Sequence, residues 1–213
     1  MSVIDHPQAP KVGKGPTKAT AKVTFSTDPA IDDSAPATDR PDGRIGAALA
    51  ALRISTGFIF LWAFLDKTFG LGFATPSEGA WIDGGSPTEG FLGHVSVGPL
   101  ESTFHSWAGD PWANWLFMLG LAGIGVAVIA GVGLRIAAVS GTVMMLLMWA
   151  AEWPLAKHTS TGELSGSNNP LVDYHIIYAL VFILLAITAA GNTWGLGKAW
   201  ASLDIVKKNP WLL

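Results

Sequence analysis

"LWAFLDKTFGLGFATPSEGAWIDGGSPTEGFL", Leu61–Leu92, carries an apolar helix into an Asp-Lys pair and then into a long segment rich in Gly, Trp and acid. After Lys67 no Lys or Arg occurs until Arg135. Basic residues collect on the cytoplasmic side of membrane proteins, so a stretch without them after an apolar helix reads as outward-facing. The Asp66-Lys67 pair then marks the outer boundary of a membrane-crossing helix.

The rest of the chain agrees. Its 213 residues are 50% hydrophobic and only 14% charged, where a soluble domain carries about a quarter charged residues. Four apolar segments approach the roughly 20 residues that span a bilayer: Ile45–Leu65, Pro111–Gly133, Ile136–Trp153 and Pro170–Ala190. The expected fold is an all-α integral membrane protein, a four-transmembrane-helix bundle with an extracytoplasmic interfacial cap between the first and second spans. With both termini in the cytoplasm, the inner side holds Lys11, Lys14, Lys18, Lys22, Arg40, Arg44, Arg135, Lys198, Lys207 and Lys208, and the outer side only Lys67 and Lys157. This asymmetry selects the orientation. It implies a multi-pass protein of a bacterial-type plasma membrane, with the first span as an uncleaved anchor.

Residues 1–43 are rich in Pro, Thr, Ala, Lys and Asp without apolar periodicity and read as a disordered cytoplasmic tail. Residues 44–200 form the membrane domain, with the outer cap at 68–110, and residues 201–213 an interfacial C-terminal segment. Within the cap, Ser86-Pro87-Thr88-Glu89 reads as a capping box, and Gly98–Gly109 as a second short helix opened by Pro99. Trp81, Phe91, Trp107 and Trp112 suit the headgroup boundary. Asp110 and Pro111 open the second span as N-cap and first helical residue. Gly123, Ala127 and Gly131 form a small-residue stripe that admits close approach of another helix. The short Gly131–Arg135 link makes the second and third spans a hairpin.

Composition excludes several chemistries. The chain has no cysteine, which removes disulfides, thiol relays, thiolate iron–sulfur clusters and c-type haem. A b-type haem needs opposed histidines inside the bundle, and only His175 lies near a span. No Gly-rich phosphate loop follows a strand, so no nucleotide is expected. A net charge of −3 gives no reason to expect nucleic acid. Glu152, Asp173, His158 and His175 are residue types that ligate metals, but no HxxxH-type spacing accompanies them, and no metal is expected.

The titratable residues near the spans collect at one level. Asp66 and Lys67 end the first span, Glu152 ends the third, and Asp173 and His175 open the fourth, with Lys157 and His158 in the adjoining loop. Ionisable groups in membrane spans are costly, and a convergent set is a candidate site. Each also has a structural reading: Lys67 snorkels at the bilayer edge, and Asp173 caps a helix. Glu152 is unfavourably placed at a helix C-terminus, which calls for a partner such as Lys67 or Lys157. His175 and Tyr178 share a face, where a structural hydrogen bond between helices is the competing role. Arg53 is the deepest charge, with backbone carbonyls, Ser55, Ser140, Thr142, a lipid headgroup or a ligand carbonyl as its candidate partners.

"RISTGFIFLWAFLDKTFGLGFAT" (Arg53–Thr75), "AWIDGGSPTEGFL" (Ala80–Leu92), "NNPLVDYHIIYAL" (Asn168–Leu180) and "GNTWGLGKAW" (Gly191–Trp200) resemble the DoxX/DoxD family of small four-span membrane proteins. The nearest branch is DoxD-like, which implies a membrane subunit of a thiosulfate:quinone-type oxidoreductase, with quinone as substrate. On that reading Lys67, Glu152 and His175 are the catalytic residues. Lys67 or Arg53 stabilises charge on a quinone oxygen, and His175 moves protons with Glu152 or Asp173. Arg53, Asp66, Trp81, Asp173 and Tyr178 line the quinone site, and the Trp-rich cap admits a small anion. The resemblance equally fits a non-catalytic accessory subunit of a respiratory or oxidative-stress membrane complex, docked through the small-residue stripe. The bilayer and another membrane subunit are the expected partners, and a homo-oligomer stays open. A transporter fits less well, because the charges lie at one end rather than at the midplane.

Overall fold

A computed structural model describes residues 43–213; the expected tail, residues 1–43, lies outside them save its last residue. Among the described residues the regular secondary structure is helical, apart from one isolated bridge between His158 and Leu164. Four longer helices form the bundle: α1 (Gly43–Phe69), α4 (Pro111–Ala130), α5 (Leu134–Glu152) and α6 (Tyr174–Ile187). Between α1 and α4 lie 3₁₀ turns at Ser77–Gly79 and Trp81–Asp83, then α2 (Glu89–Leu92) and α3 (Glu101–Trp107). The chain ends in α7 (Gly197–Ser202), α8 (Asp204–Lys208) and a turn at Pro210–Leu212.

Helices α1, α4 and α5 are long and apolar enough to cross a membrane. Their outer faces leave large apolar side chains uncovered, Leu116 at 66% and Val139 at 68% exposure among them. Soluble monomers rarely carry continuous apolar belts of this kind. The fourth segment differs from expectation. Instead of a helix over Pro170–Ala190, α6 has 14 residues, about 21 Å at 1.5 Å per residue against a hydrocarbon core of about 30 Å. Asp173 takes extended backbone as the N-cap and so delays the helix start. Ala189 takes a left-handed conformation, φ +47°, and closes its far end.

The bundle is built from two close pairs, α1 on α4 and α5 on α6. Glycine sets the first pairing. A Cβ on Gly57 would lie 2.8 Å from the Ile129 backbone nitrogen, and one on Gly125 would lie 2.7 Å from the Leu61 nitrogen. Of the predicted stripe, Gly123 faces open space, while a Cβ on Gly131 would lie 2.6 Å from Gly191 Cα; the close approach of α1 to α4 is made by Gly57 and Gly125. In the second pair, Gly141 makes room for the Phe182 ring. Phe60, Met118, Ile124, Val128, Met145, Phe182 and Leu185 fill the shared core.

Segment 70–110 packs over the end of the bundle where α1 and α5 finish and α4 begins, here termed the cap end. Val95 and Phe104 form a small second core with Ala151 of α5. The Asn114 side-chain oxygen accepts from Thr88 N, Thr88 Oγ1 and Ser86 Oγ, tying the cap to the first turn of α4. The predicted capping box is not formed: α2 begins at Glu89 with Thr88 as N-cap, and the Ser86 hydroxyl instead accepts from Glu89 N at 3.2 Å in the turn before the helix. Asp110 and Pro111 open α4 as expected, although the Asp110 carboxylate accepts from Trp112 Nε1 rather than from the helix. At the opposite, hairpin end, Gly131 and Gly133 make the α4–α5 turn in left-handed conformations. The C-terminal segment folds back here: Arg135 donates through its backbone to Leu213 O and through its guanidinium to Pro210 O, and Trp200 Nε1 donates to Leu212 O. The boundary expected at 200/201 thus falls inside α7.

Candidate functional site

Two groups of charged side chains are buried, one at each end. At the hairpin end, Arg53 has no exposed surface. Its Nη1 donates to Val128 O at 2.6 Å and to Ile129 O, and its Nη2 to Trp194 O at 2.9 Å and Thr193 O at 3.4 Å. Val128 and Ile129 lie in the last turn of α4, where the dipole is negative and carbonyls run short of helical donors, although Val128 O also accepts from Gly131 N at 3.1 Å. Arg53 is therefore a cap for α4 and a clamp on the Thr193–Trp194 turn. Of the partners open to it, backbone carbonyls are the ones found. The expected quinone contact is not supported at this position, since the guanidinium is enclosed by the protein's own carbonyls.

At the cap end the structure divides the expected set. Asp66 is 2% exposed, and its carboxylate accepts from Phe73 N at 3.2 Å and Ala74 N at 2.9 Å. It fixes the loop that leaves α1, and its oxygens do not join the other acids. Lys67 is half-buried in the last turn of α1 and makes no ion pair within 4.0 Å among the described residues. Lys157 and His158 are exposed in the loop. Trp81 packs against the main core and edge-on to Trp115, with ring centroids 4.7 Å apart. Tyr178 packs edge-on to Phe60 at 6.3 Å and to Tyr174 at 6.2 Å.

Glu152, Asp173 and His175 do converge. Asp173 is the N-cap of α6: its Oδ1 accepts from the backbone of His175 at 3.0 Å and of Ile176 at 3.3 Å. Its Oδ2 lies 3.0 Å from His175 Nδ1, and Glu152 Oε2 lies 3.9 Å from the same nitrogen. The lysine partner expected for Glu152 is absent; Tyr174 Oη donates to Glu152 Oε1 at 2.7 Å instead. Tyr174 is the residue that sequence reasoning missed. It sits 22 positions from Glu152, and only the pairing of α5 with α6 makes them neighbours.

His175 is fully buried. The adjacent carboxylate assigns the ring proton to Nδ1, and the other nitrogen, Nε2, is buried with no hydrogen-bond partner among the described residues. An orphaned polar atom of this kind costs about 1–3 kcal/mol. Beside the cluster, a cleft of about 420 Å³ opens between the cap and the loop after α5, lined by Glu152, Asp173, Tyr174, His94, Ser167 and Asn169 among others. It reaches both carboxylates but not His175. Its lining contains no Lys or Arg, so the expected small anion finds two carboxylates there and no cationic partner.

Searches of family models, of curated proteins and of solved structures find no match to this chain.

Proposed function

We propose that the chain is a membrane subunit of a quinone-linked oxidoreductase, in which His175 presents Nε2 to the oxygen of a lipid-soluble quinone. The observation that carries this reading is the buried Nε2, unpartnered among the described residues and backed on the other ring nitrogen by two carboxylates that line an open cleft. Reduction of a quinone takes up two electrons and two protons. The chain's part is the protons: they enter at half-exposed Glu152 and Asp173, and with a quinone seated His175 takes the tautomer that carries its proton on Nε2, gives that proton to the reduced oxygen and is reprotonated at Nδ1 from the carboxylates, the ring proton returning to Nε2 before the second transfer. With no cysteine in the chain, the electrons come from a donor held by a partner subunit. The carboxylate-lined cleft gives an anion such as thiosulfate no foothold here, so a thiosulfate-type donor belongs on that partner as well.

The architecture that goes with this reading is a four-span bundle in a bacterial-type plasma membrane. In it, α6 completes the span with exposed Leu171 and Val172 before it and Thr188 after it, the cap faces outward, and both termini face the cytoplasm.

The test compares two variants in lipid nanodiscs. His175→Asn keeps a donor near Asp173 and removes the Nε2 position, whereas His175→Gln extends a polar group towards it. Short-chain quinone binding, read by equilibrium dialysis, should fall at least tenfold in His175→Asn and recover in part in His175→Gln. Wild-type binding by a folded His175→Asn protein would remove this reading and leave the accessory-subunit role.

A further inference from the structure

We propose that Glu152, Asp173 and His175 also form a site for one divalent transition-metal cation on the wall of the cap-end cleft. The proposal shares these residues with the quinone reading but rests on Nδ1 and the carboxylates rather than on Nε2.

The geometry suits ligation. One donor atom from each residue falls within 4.8 Å of the other two. Zinc bonds of about 2.0–2.2 Å in tetrahedral geometry place ligand atoms roughly 3.3–3.6 Å apart, and the separations of 3.0 and 3.9 Å from His175 Nδ1 to the two carboxylate oxygens bracket that range. The carboxylates are also aimed. Glu152 Oε1 is held by Tyr174 Oη, and Asp173 Oδ1 by two backbone N–H groups, which turns Oε2 and Oδ2 towards the same ring nitrogen. Outer partners of this kind orient metal ligands and tune their affinity.

The electrostatics point the same way. Glu152 ends α5, where the helix dipole is already negative. Among the described residues no Lys or Arg lies within 4.0 Å of either carboxylate. One proton on a histidine leaves two carboxylates and a helix terminus undercompensated, and a divalent cation balances them. The cleft reaches Glu152 and Asp173, so an ion enters from the carboxylate side, where there is room for water in the open coordination positions. One imidazole with two carboxylates favours Zn²⁺, Mn²⁺ or Fe²⁺ over the all-oxygen preference of Ca²⁺ and Mg²⁺.

The test is isothermal titration of Zn²⁺ into tag-free, full-length protein in detergent after chelator treatment, repeated with Mn²⁺. Saturable binding of one ion per chain is expected. Glu152→Gln, at a half-exposed position, and Asp173→Asn, which caps a helix as well as Asp, should each weaken binding at least tenfold. Tyr174→Phe, which keeps all three donors, should weaken it about tenfold. Failure of the wild type to bind one ion per chain would overturn the proposal, as would unchanged affinity in both carboxylate variants. Quinone binding without zinc binding refutes the cation site alone, and zinc binding without quinone binding refutes the quinone reading alone.

Discussion

The hairpin end and the cap end each bury charge, and they treat it in opposite ways. Around Arg53, four carbonyls surround the guanidinium, and only Nε lacks a partner. Around His175, two carboxylates crowd one ring nitrogen and the other has none. A buried charge that the fold satisfies is architecture. One left half-satisfied is held in place by the rest of the fold at a cost of about 1–3 kcal/mol, and that cost is recovered when a ligand supplies the missing partner. By this criterion depth in the membrane is a poor guide to function: the deepest charge in the sequence is the structural one.

The sharpest way to break this contrast is at Arg53. Arg53→Ala leaves buried carbonyls unpaired and should destabilise by on the order of 3 kcal/mol or more, a fall of roughly 10 °C in the melting temperature of the solubilised protein. Arg53→Lys should recover only part of it, because an ammonium cannot fork between the α4 carbonyls and the Thr193–Trp194 turn. Unchanged melting in Arg53→Ala would remove the structural assignment and return this residue to the candidate site.

Next in size is the glycine contact between α1 and α4. Gly57→Leu sets a side chain against the backbone of Ile129, which cannot yield as a side-chain tip can, and should cost about 1–3 kcal/mol or more. Gly123→Leu should leave the melting temperature alone, since a Cβ there meets nothing within 4 Å. Loss of a co-purifying membrane subunit in Gly123→Leu, with melting unchanged, would favour the accessory role.

The smallest expected effect is at Asp66, which shares the cap end with the cluster yet belongs by its bonding with Arg53. Asp66→Ala should free the loop at Phe73 and Ala74. Chymotrypsin cleavage there should rise roughly tenfold, for about 1–3 kcal/mol of local stability lost, while quinone and zinc binding stay as in the wild type. A matching loss of ligand binding would join Asp66 to the site after all.

How much of this was legible from the residues depends on whether the relevant contact is local. Asp110-Pro111 and the Gly131–Gly133 turn are set within a few positions of chain, and each appears where the sequence puts it. Membrane character is local in the same sense, because hydropathy adds along a helix. The α6 boundaries were misjudged because apolar content continues past the points where Asp173 and Ala189 change the backbone. Spacing shows which glycines of α4 could pack, but not that the face meeting α1 is the one that carries Gly125. Asp66 was assigned to the cluster on depth alone, and its bonding to Phe73 and Ala74 depends on the path of the loop.

By itself the sequence determined that this is a helical membrane protein, where its helices turn, and that acids and a histidine gather near one level. Those are properties of composition and short-range backbone preference. Only the tertiary structure decided that Arg53 is enclosed by carbonyls of α4 and the Thr193–Trp194 turn, and that Tyr174 holds Glu152. It also decided that His175 keeps one nitrogen without a partner. Hydrogen-bond satisfaction of a buried group is a three-dimensional sum over helices distant in sequence, and no periodicity along one helix contains it.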